Sequence, residues 1–402
     1  MWSDAAEFVD SIGLNTHFGQ EQTPYVRSFD AVAERIDEIG VRNLREDLGA
    51  GVRVGAVAPQ FERLNRMARK GYRFSLVCFD GGRSGVYVPP EATPMIQAWC
   101  QGAVDYFEGP NEPVIGRGAE AGMKLLDYQS RLYEAVRSAP DLRRVGVVGP
   151  SLTPSQAVFA RPMARVVDFG NIHPYPGHFN PETKRNPASL GKYVQVSEPL
   201  FAGKKMFATE TGYHSALKTK RTHLPVPEGL RARYLPRLLL WYSARGIQRT
   251  YIYEAVSSFA RGDTDPESHF GLLQNDLTPT PVYHAVKNLV SLFSASESKR
   301  RETQLSVRLQ QGGEDLQVLG FRRNDGARLV ALWRSGEGWD AHTGKALEQP
   351  SLPVTLHIDG RPKDILFHRF EDSGRLSTSR ISPSDGILKL QVDDRLAVAV
   401  LS

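Results

Sequence analysis

From about residue 11 to residue 293 the sequence alternates short apolar runs with segments of helical period, and few folds accommodate that pattern. Ser11–Phe18 (SIGLNTHF) reads as a first strand. Phe29–Ile39 (FDAVAERIDEI) has apolar residues at helical spacing, and Gly40 closes that helix. Val41–Asp47 is a second strand, Phe61–Lys70 a helix and Tyr72–Asp80 a third strand. Thr93–Gly102 is helical, and Ala103–Phe107 opens the fourth strand. The helix Ala121–Ser138 then precedes strands at Arg144–Gly149, Val166–His173 and Lys205–Thr209. The apolar helix Leu230–Ala244, the strand Arg249–Ala255 and the helix Pro281–Phe293 complete the series. Eight strands alternating with helices over about 290 residues predict a (β/α)8 TIM barrel, which typically needs about 250. An open doubly wound sheet is the rival, but no Gly-rich phosphate loop follows the first strand, where such a sheet often carries its cofactor site.

Around Ser294–Thr303 (SASESKRRET) the character changes. Beyond it the helical period is gone. Runs such as LQVLGFRR, ARLVALWRS, VTLHI, ILKLQV and LAVAVLS are short, alternating and separated by Gly, Pro, Asp or Ser. That is the pattern of an antiparallel β-sandwich. We expect a catalytic barrel over residues 1–297 and an accessory β-sandwich over 298–402, with no obvious chemical constellation in the latter.

Two carboxylates stand out. In Asp105-Tyr106-Phe107-Glu108-Gly109-Pro110-Asn111-Glu112-Pro113 a strand-like run meets a Gly-Pro break, and an Asn-Glu pair sits where the chain turns. Pro113 favours an extended backbone at Glu112. Lys205-Met206-Phe207-Ala208-Thr209-Glu210-Thr211-Gly212 repeats the design: a buried run, then Glu, then Gly. Functional residues gather at the C-terminal ends of barrel strands, so both side chains are expected to face one cleft. Carboxylates about 5 Å apart suit a retaining glycosidase, one as acid/base and one as nucleophile. The alternative for either alone is a strand-end residue paired with a nearby arginine.

Composition bounds the remaining classes. No apolar run reaches the roughly 18 residues of a membrane span. The opening MWSDAAEFVD lacks the basic-then-apolar layout of a signal peptide. A net charge of +5 is mild for 402 residues and does not imply nucleic acid. Cys78 and Cys100 make no disulfide framework or metal-ligand spacing, and Cys78 reads as a buried thiol.

Asn111-Glu112-Pro113, His173-Pro174-Tyr175 and Glu210-Thr211-Gly212, in order on successive strands, resemble the barrel glycoside hydrolases of clan A, families five and thirty-nine among them. The resemblance spans roughly residues 10 to 293, and the trailing sandwich is similar to that of family thirty-nine. It implies Glu112 as acid/base and Glu210 as nucleophile. It implies that Asn111 hydrogen-bonds the sugar hydroxyl next to the anomeric carbon. It also implies that Tyr175 and Arg45 steady the nucleophile, with His173 on the same segment. The chain departs from the pattern where the eighth strand ends Tyr253-Glu254, since many relatives place a Trp there. The third strand ends Phe79-Asp80, where family five commonly has a His.

Other strand-end residues are candidates for substrate contact: His17 on the first strand, with a structural histidine bonded to backbone as the alternative, and Tyr253 and Glu254 on the eighth, with closure of the barrel mouth as the alternative for Glu254. Glu108 is expected to be a buried partner for a barrel arginine. Tyr213, His214 and Phe259 fall on rim loops, where aromatic rings can stack on sugars. The segment from Pro176 to about Leu200 reads as a long loop carrying Lys184, Arg185 and Lys192, and the loop after the seventh strand holds Lys218, Lys220 and Arg221. Such loops lean toward an endo-acting cleft, and their charge would suit an anionic glycan or is that of an ordinary solvated loop. The expected partner is thus a polysaccharide or oligosaccharide, with no metal or organic cofactor, in a secreted or periplasmic setting. A transglycosylase on the same covalent intermediate and a catalytically silent carbohydrate-binding barrel are the alternatives.

Overall fold

The computed structural model describes residues 2–49, 55, 58–82, 85–113, 119–185, 189–219, 223–294, 305–360, 362 and 365–402. The expected boundary at 297/298, with Lys220 and Arg221, lies outside them.

The chain opens with β1 (Ser3–Asp4) and α1 (Ala5–Asp10), which the alternation did not reveal. The barrel follows: β2 (Ile12–Thr16), α2 (Pro24–Arg27), α3 (Phe29–Ile39), β3 (Asn43–Asp47), α4 (Pro59–Arg69), β4 (Arg73–Val77), α5 (Thr93–Trp99), β5 (Val104–Glu108) and α6 (Ala119–Ser138). Its second half is β6 (Gly146–Val148), α7 (Pro154–Ala157), β7 (Gly170–Ile172), α8 (Leu190–Phe201), β8 (Met206–Thr211), α9 (Glu228–Ala244), β9 (Ile247–Ile252) and α10 (Pro281–Phe293). Strands β2 to β9 form one eight-stranded parallel sheet in the order β6-β5-β4-β3-β2-β9-β8-β7. A parallel bridge between Val148 and Phe169 joins β6 to the approach of β7, so the ring closes into the expected barrel.

One expectation is only half met. Residues 173–185 carry no helix or strand, but the segment does not stay a loop: Ser189 caps α8, its side chain accepting the N–H of Lys192, and the helix buries Leu190, Tyr193, Leu200 and Phe201. Pro199 inside the segment hides the helical period from a sequence reading.

Side chains of a strand alternate between faces, so the barrel interior is built in layers. A lower layer is aromatic, with Tyr106, Phe169, Phe207 and Tyr251 in contact around Val148. Gly13 makes room for it, since a Cβ there would lie 2.3 Å from the Tyr251 ring. Two residues further along each strand the layer turns polar, with Asn15, Glu108, Asn171 and Thr209 all buried. The aromatic floor lies beneath, and the polar layer faces the C-terminal mouth.

The remaining strands are β10 (Ser306–Gln311), β11 (Leu316–Arg322), β12 (Arg328–Arg334), β13 (Trp339–Asp340), β14 (Lys345–Ala346), β15 (Leu352–Asp359), β16 (Ile365–Phe370), β17 (Leu376–Ile381), β18 (Ile387–Val392) and β19 (Ala397–Leu401). A six-stranded sheet, β1-β11-β12-β19-β16-β17, lies against a three-stranded sheet, β10-β15-β18, and β13-β14 make a small hairpin. The first residues of the chain therefore add a strand to the sandwich, Ser3 pairing with Phe321. β15 alternates as expected, but β12 is buried on both faces. Its Leu329, Ala331 and Trp333 join the barrel-side core, while Val330 and Leu332 join the sandwich core.

Charged groups fasten the barrel to the sandwich. Arg237 of α9 donates to Glu182 and to the Asp394 carbonyl, and the Trp333 indole N–H donates to Glu182 at 2.6 Å. Arg233 pairs with Asp372 and Asp394, each at 2.8 Å. Removing the fully buried Trp333 leaves a large cavity and takes a donor from buried Glu182. Trp333→Ala should therefore cost about 3–5 kcal/mol, read as a lowered urea midpoint; a loss under about 1 kcal/mol would show that the two units do not support each other.

Candidate active site

Arg45 on β3 points into the polar layer and is 2% exposed. All five of its N–H donors are used. Nε and one Nη bind Glu108 at 2.9 and 2.8 Å, a bidentate pair. The Nη atoms also reach Asn15 Oδ1 at 2.8 Å, Asn111 Oδ1 at 2.8 Å and Glu210 Oε1 at 2.7 Å. Glu108 is thus the buried arginine partner expected of it. Its Oε1 also accepts from Asn171 and Thr209, each at 3.0 Å.

Glu210 sits on β8 with its other oxygen, Oε2, accepting the Tyr175 hydroxyl at 2.9 Å. Burial, and then the Glu210 charge, push the Tyr175 phenol well above its ordinary range, so it stays a donor. One guanidinium and one phenol therefore feed the two carboxylate oxygens, one donor to each.

Glu112 reaches the same point from the loop after β5. Its backbone is not extended, as the following proline suggested, but has a φ of +40°. Asn111 forms a bridge with Ser151, and the Ser151 hydroxyl accepts the Glu112 N–H at 3.0 Å. These contacts hold the turn against the strain of a left-handed φ at a non-glycine residue. Asn111 Oδ1 is committed to Arg45 and Ser151, which sets its amide N–H2 on the opposite side.

His173 stands between the two glutamates. Its Nδ1 lies 3.2 Å from Glu112 Oε1 and 3.5 Å from Glu210 Oε2, and its Nε2 lies 2.9 Å from Thr209 Oγ1. One ligand-type atom from each of Glu112, His173 and Glu210 falls within 4.8 Å of the others. Those side chains are 24%, 3% and 11% exposed respectively, so Glu112 is the most open to solvent. Among the described residues this is the set closest to a metal-ligand cluster, but Glu210 already has a permanent cation bonded to it.

The wall beside Glu210 is aromatic. Tyr175, Tyr253 and Phe270 stand edge to face, and His223 packs on Tyr175 at 5.0 Å. The Tyr253 hydroxyl is held by Glu267 at 2.8 Å.

Several candidates lie elsewhere. Glu254 is fully buried and accepts the Ser258 N–H and the hydroxyls of Ser258 and Tyr25, so it braces the barrel rather than meeting a sugar. His17 is 6% exposed, with Nε2 3.3 Å from Glu254 and Nδ1 3.8 Å from Asp47; it too is an internal ion-pair residue. Tyr213 and His214 are buried packing residues, and burial lowers His214 to about 4. Phe259 remains at the surface with Arg261 stacked on it. Lys218 pairs with Asp263 at 2.8 Å, and Arg185 lies over Phe179. Thr209, Asn171, Ser151 and Asn15 were not anticipated. Asn171 and Thr209 each lie two residues beyond an aromatic of the floor, which is the one signal that marks them.

No protein-family model matches the sequence, and the curated proteins contain no match. Solved structures do resemble it. A family 39 glycoside hydrolase from the gut symbiont Bacteroides cellulosilyticus superposes with a TM-score of 0.69 at 15% identity, covering 98% of this chain and 82% of its own. The chain has the fold of the barrel glycoside hydrolases. A glucosidase from Croceicoccus marinus gives 0.61 at 10% identity, with 92% of this chain and 91% of that one covered. The catalytic domain of a GH30 xylanase C from Talaromyces cellulolyticus gives 0.56 at 12% identity, covering 98% and 96%. The likeness includes the sandwich, so the fold resemblance drawn from the three motifs is borne out.

The buried pair beside the site makes stability depend on pH. Burial opposes the charge of His17, but Glu254, then Asp47 and Glu46, outweigh it and raise it to about 9 from 6.5. Folded His17 keeps a proton that the unfolded chain releases, so its contribution is complete below pH 6.5 and is lost as pH rises to 9. Burial raises Glu46 to about 7 from 4.5, so stability also falls between those values as the unfolded carboxyl ionises first. We expect the urea midpoint to fall from pH 5 to pH 9.5, with His17 contributing on the order of 3 kcal/mol. In His17→Gln the fall above pH 6.5 should largely vanish; a flat profile there in the parent would overturn the assignment.

Proposed function

We propose that the protein is a glycoside hydrolase that cleaves a glycosidic bond in a polysaccharide or oligosaccharide by double displacement with retention. The observation that carries this reading is the meeting of the Glu112 and Glu210 oxygens within 4.8 Å around His173. Retaining pairs stand about 5 Å apart, whereas inverting pairs need room for a water.

Glu210, kept ionised by Arg45 and Tyr175, attacks the anomeric carbon. Glu112 protonates the departing oxygen, and a glycosyl ester forms on Glu210. The Glu112 carboxylate then takes a proton from water, whose oxygen attacks the same carbon and releases Glu210. The Asn111 amide N–H2 binds the hydroxyl next to that carbon, and Tyr175 and Tyr253 supply ring surface for the sugar. This chemistry calls for no metal or organic cofactor.

The first test is a glycan panel with neutral and acidic members. On whichever substrate the parent cleaves, Glu112→Ala and Glu210→Ala should each lower kcat/KM by about 10²–10⁴-fold or more. Either variant at full activity would end the assignment. NMR of the first-formed product should show the parent's anomeric configuration, and inversion would exclude the double displacement. Products longer than the substrate, formed when an acceptor sugar is added, would make the enzyme a transglycosylase. Mid-chain cleavage of a soluble polysaccharide is expected for an endo-acting cleft. An anionic substrate would show kcat/KM falling as salt is raised.

A further inference from the structure

We infer that Thr209 locks His173 in the tautomer protonated at Nε2, so that Nδ1 shares a single proton with Glu112. The inference rests on the acid–base reading above and concerns what keeps the acid charged with its proton.

The hydrogen-bond inventory of Thr209 decides the tautomer. Its hydroxyl lies 2.8 Å from Asn171 Oδ1, 3.0 Å from Glu108 Oε1 and 2.9 Å from His173 Nε2. Glu108 is an ionised acceptor, bound twice by Arg45. The Asn171 amide is oriented by its Nδ2, which donates to Glu108 Oε1 at 3.0 Å and to the Gly149 carbonyl at 3.1 Å, so Oδ1 is what faces Thr209. A hydroxyl has one proton to give, and here two oxygens that cannot donate compete for it. The third contact is therefore a hydrogen bond from Nε2–H to Oγ1.

That leaves Nδ1 as the acceptor edge of the ring. It faces Glu112 Oε1 and Glu210 Oε2. If Glu112 ionises while the ring is neutral, a bare nitrogen lone pair confronts two carboxylates. The pair resists losing its last proton, which stays between Glu112 and Nδ1. When Glu112 delivers that proton to the leaving oxygen, the Glu210 charge disappears into the ester. The deprotonated state is then tolerated until water returns a proton to Glu112. His173 and Thr209 are positioning residues in this scheme. Among the described residues, the charged or titratable groups around the ring and its Glu112 partner are Glu112, Glu210, Glu108 through Thr209, then Arg45, Tyr175, Tyr193 and His223.

The chain has ten histidines, so ¹⁵N-histidine NMR is tractable, with His173→Gln assigning the resonances. The His173 Nε2 should carry a proton throughout the neutral range. A neutral ring protonated at Nδ1 with Nε2 bare would overturn the inference, whether or not a substrate is known. In Thr209→Val the ring is free to present Nδ1–H to an ionised Glu112. The basic limb of the kcat/KM–pH profile should then move down by about one unit, while Thr209→Ser keeps the parent profile. A Thr209→Val profile equal to the parent's would also overturn it. Should the parent cleave no glycan, the functional reading fails, and the NMR experiment still decides the tautomer.

Discussion

The arrangement turns on the five hydrogen bonds of Arg45. A guanidinium taken out of water costs several kcal/mol unless each donor finds a partner. Here the four partners come from three barrel strands or the loops that follow them: Asn15 on β2, Glu108 and Asn111 on and after β5, and Glu210 on β8. The same cation thus ties the barrel mouth together and donates to one proposed catalytic carboxylate. Glu108 supplies the balancing charge at full burial, and Glu210 remains partly open to the cleft.

Around that cation the barrel separates two environments. Below lies the aromatic floor of Tyr106, Phe169, Phe207 and Tyr251, packed around Val148. Above lies a layer in which Asn171, Thr209 and His173 relay hydrogen bonds from Glu108 toward Glu112. The backbone makes the contrast, because inward-facing positions recur every second residue. The sandwich stands apart from this chemistry. Its β12 buries Trp333 against the barrel, and the paired Arg233 and Arg237 of α9 fix the helix that runs between β8 and β9.

Much of this was legible in the sequence. The alternation of apolar runs and helical periods located all eight barrel strands to within a few residues. The break after α10 announced an all-β unit. Glu112, Glu210, Asn111, Tyr175, His173 and Arg45 were each named from strand-end position or motif resemblance, and all six meet at one point. Failures came where local signals conflict or are silent. Pro199 and the polar stretch before it masked α8. For Glu254 and His17 the strand-end position left a substrate role and a structural role equally open, and the neighbours Tyr25, Ser258 and Asp47 enclose them. Pro113 argued for an extended Glu112, and the bridge to Ser151 overrode it.

What the sequence determined by itself was periodicity and order: which residues share a strand face, where each strand stops and which carboxylates follow. These depend on neighbours a few positions away, so they are written locally. Only the tertiary structure decided which strand-end groups face the mouth and which are sealed inside. It alone decided that Arg45 spans Glu108 and Glu210, and that His173 lies between two glutamates. Those outcomes depend on closure of the sheet into a ring, which sets distances between residues far apart in the chain.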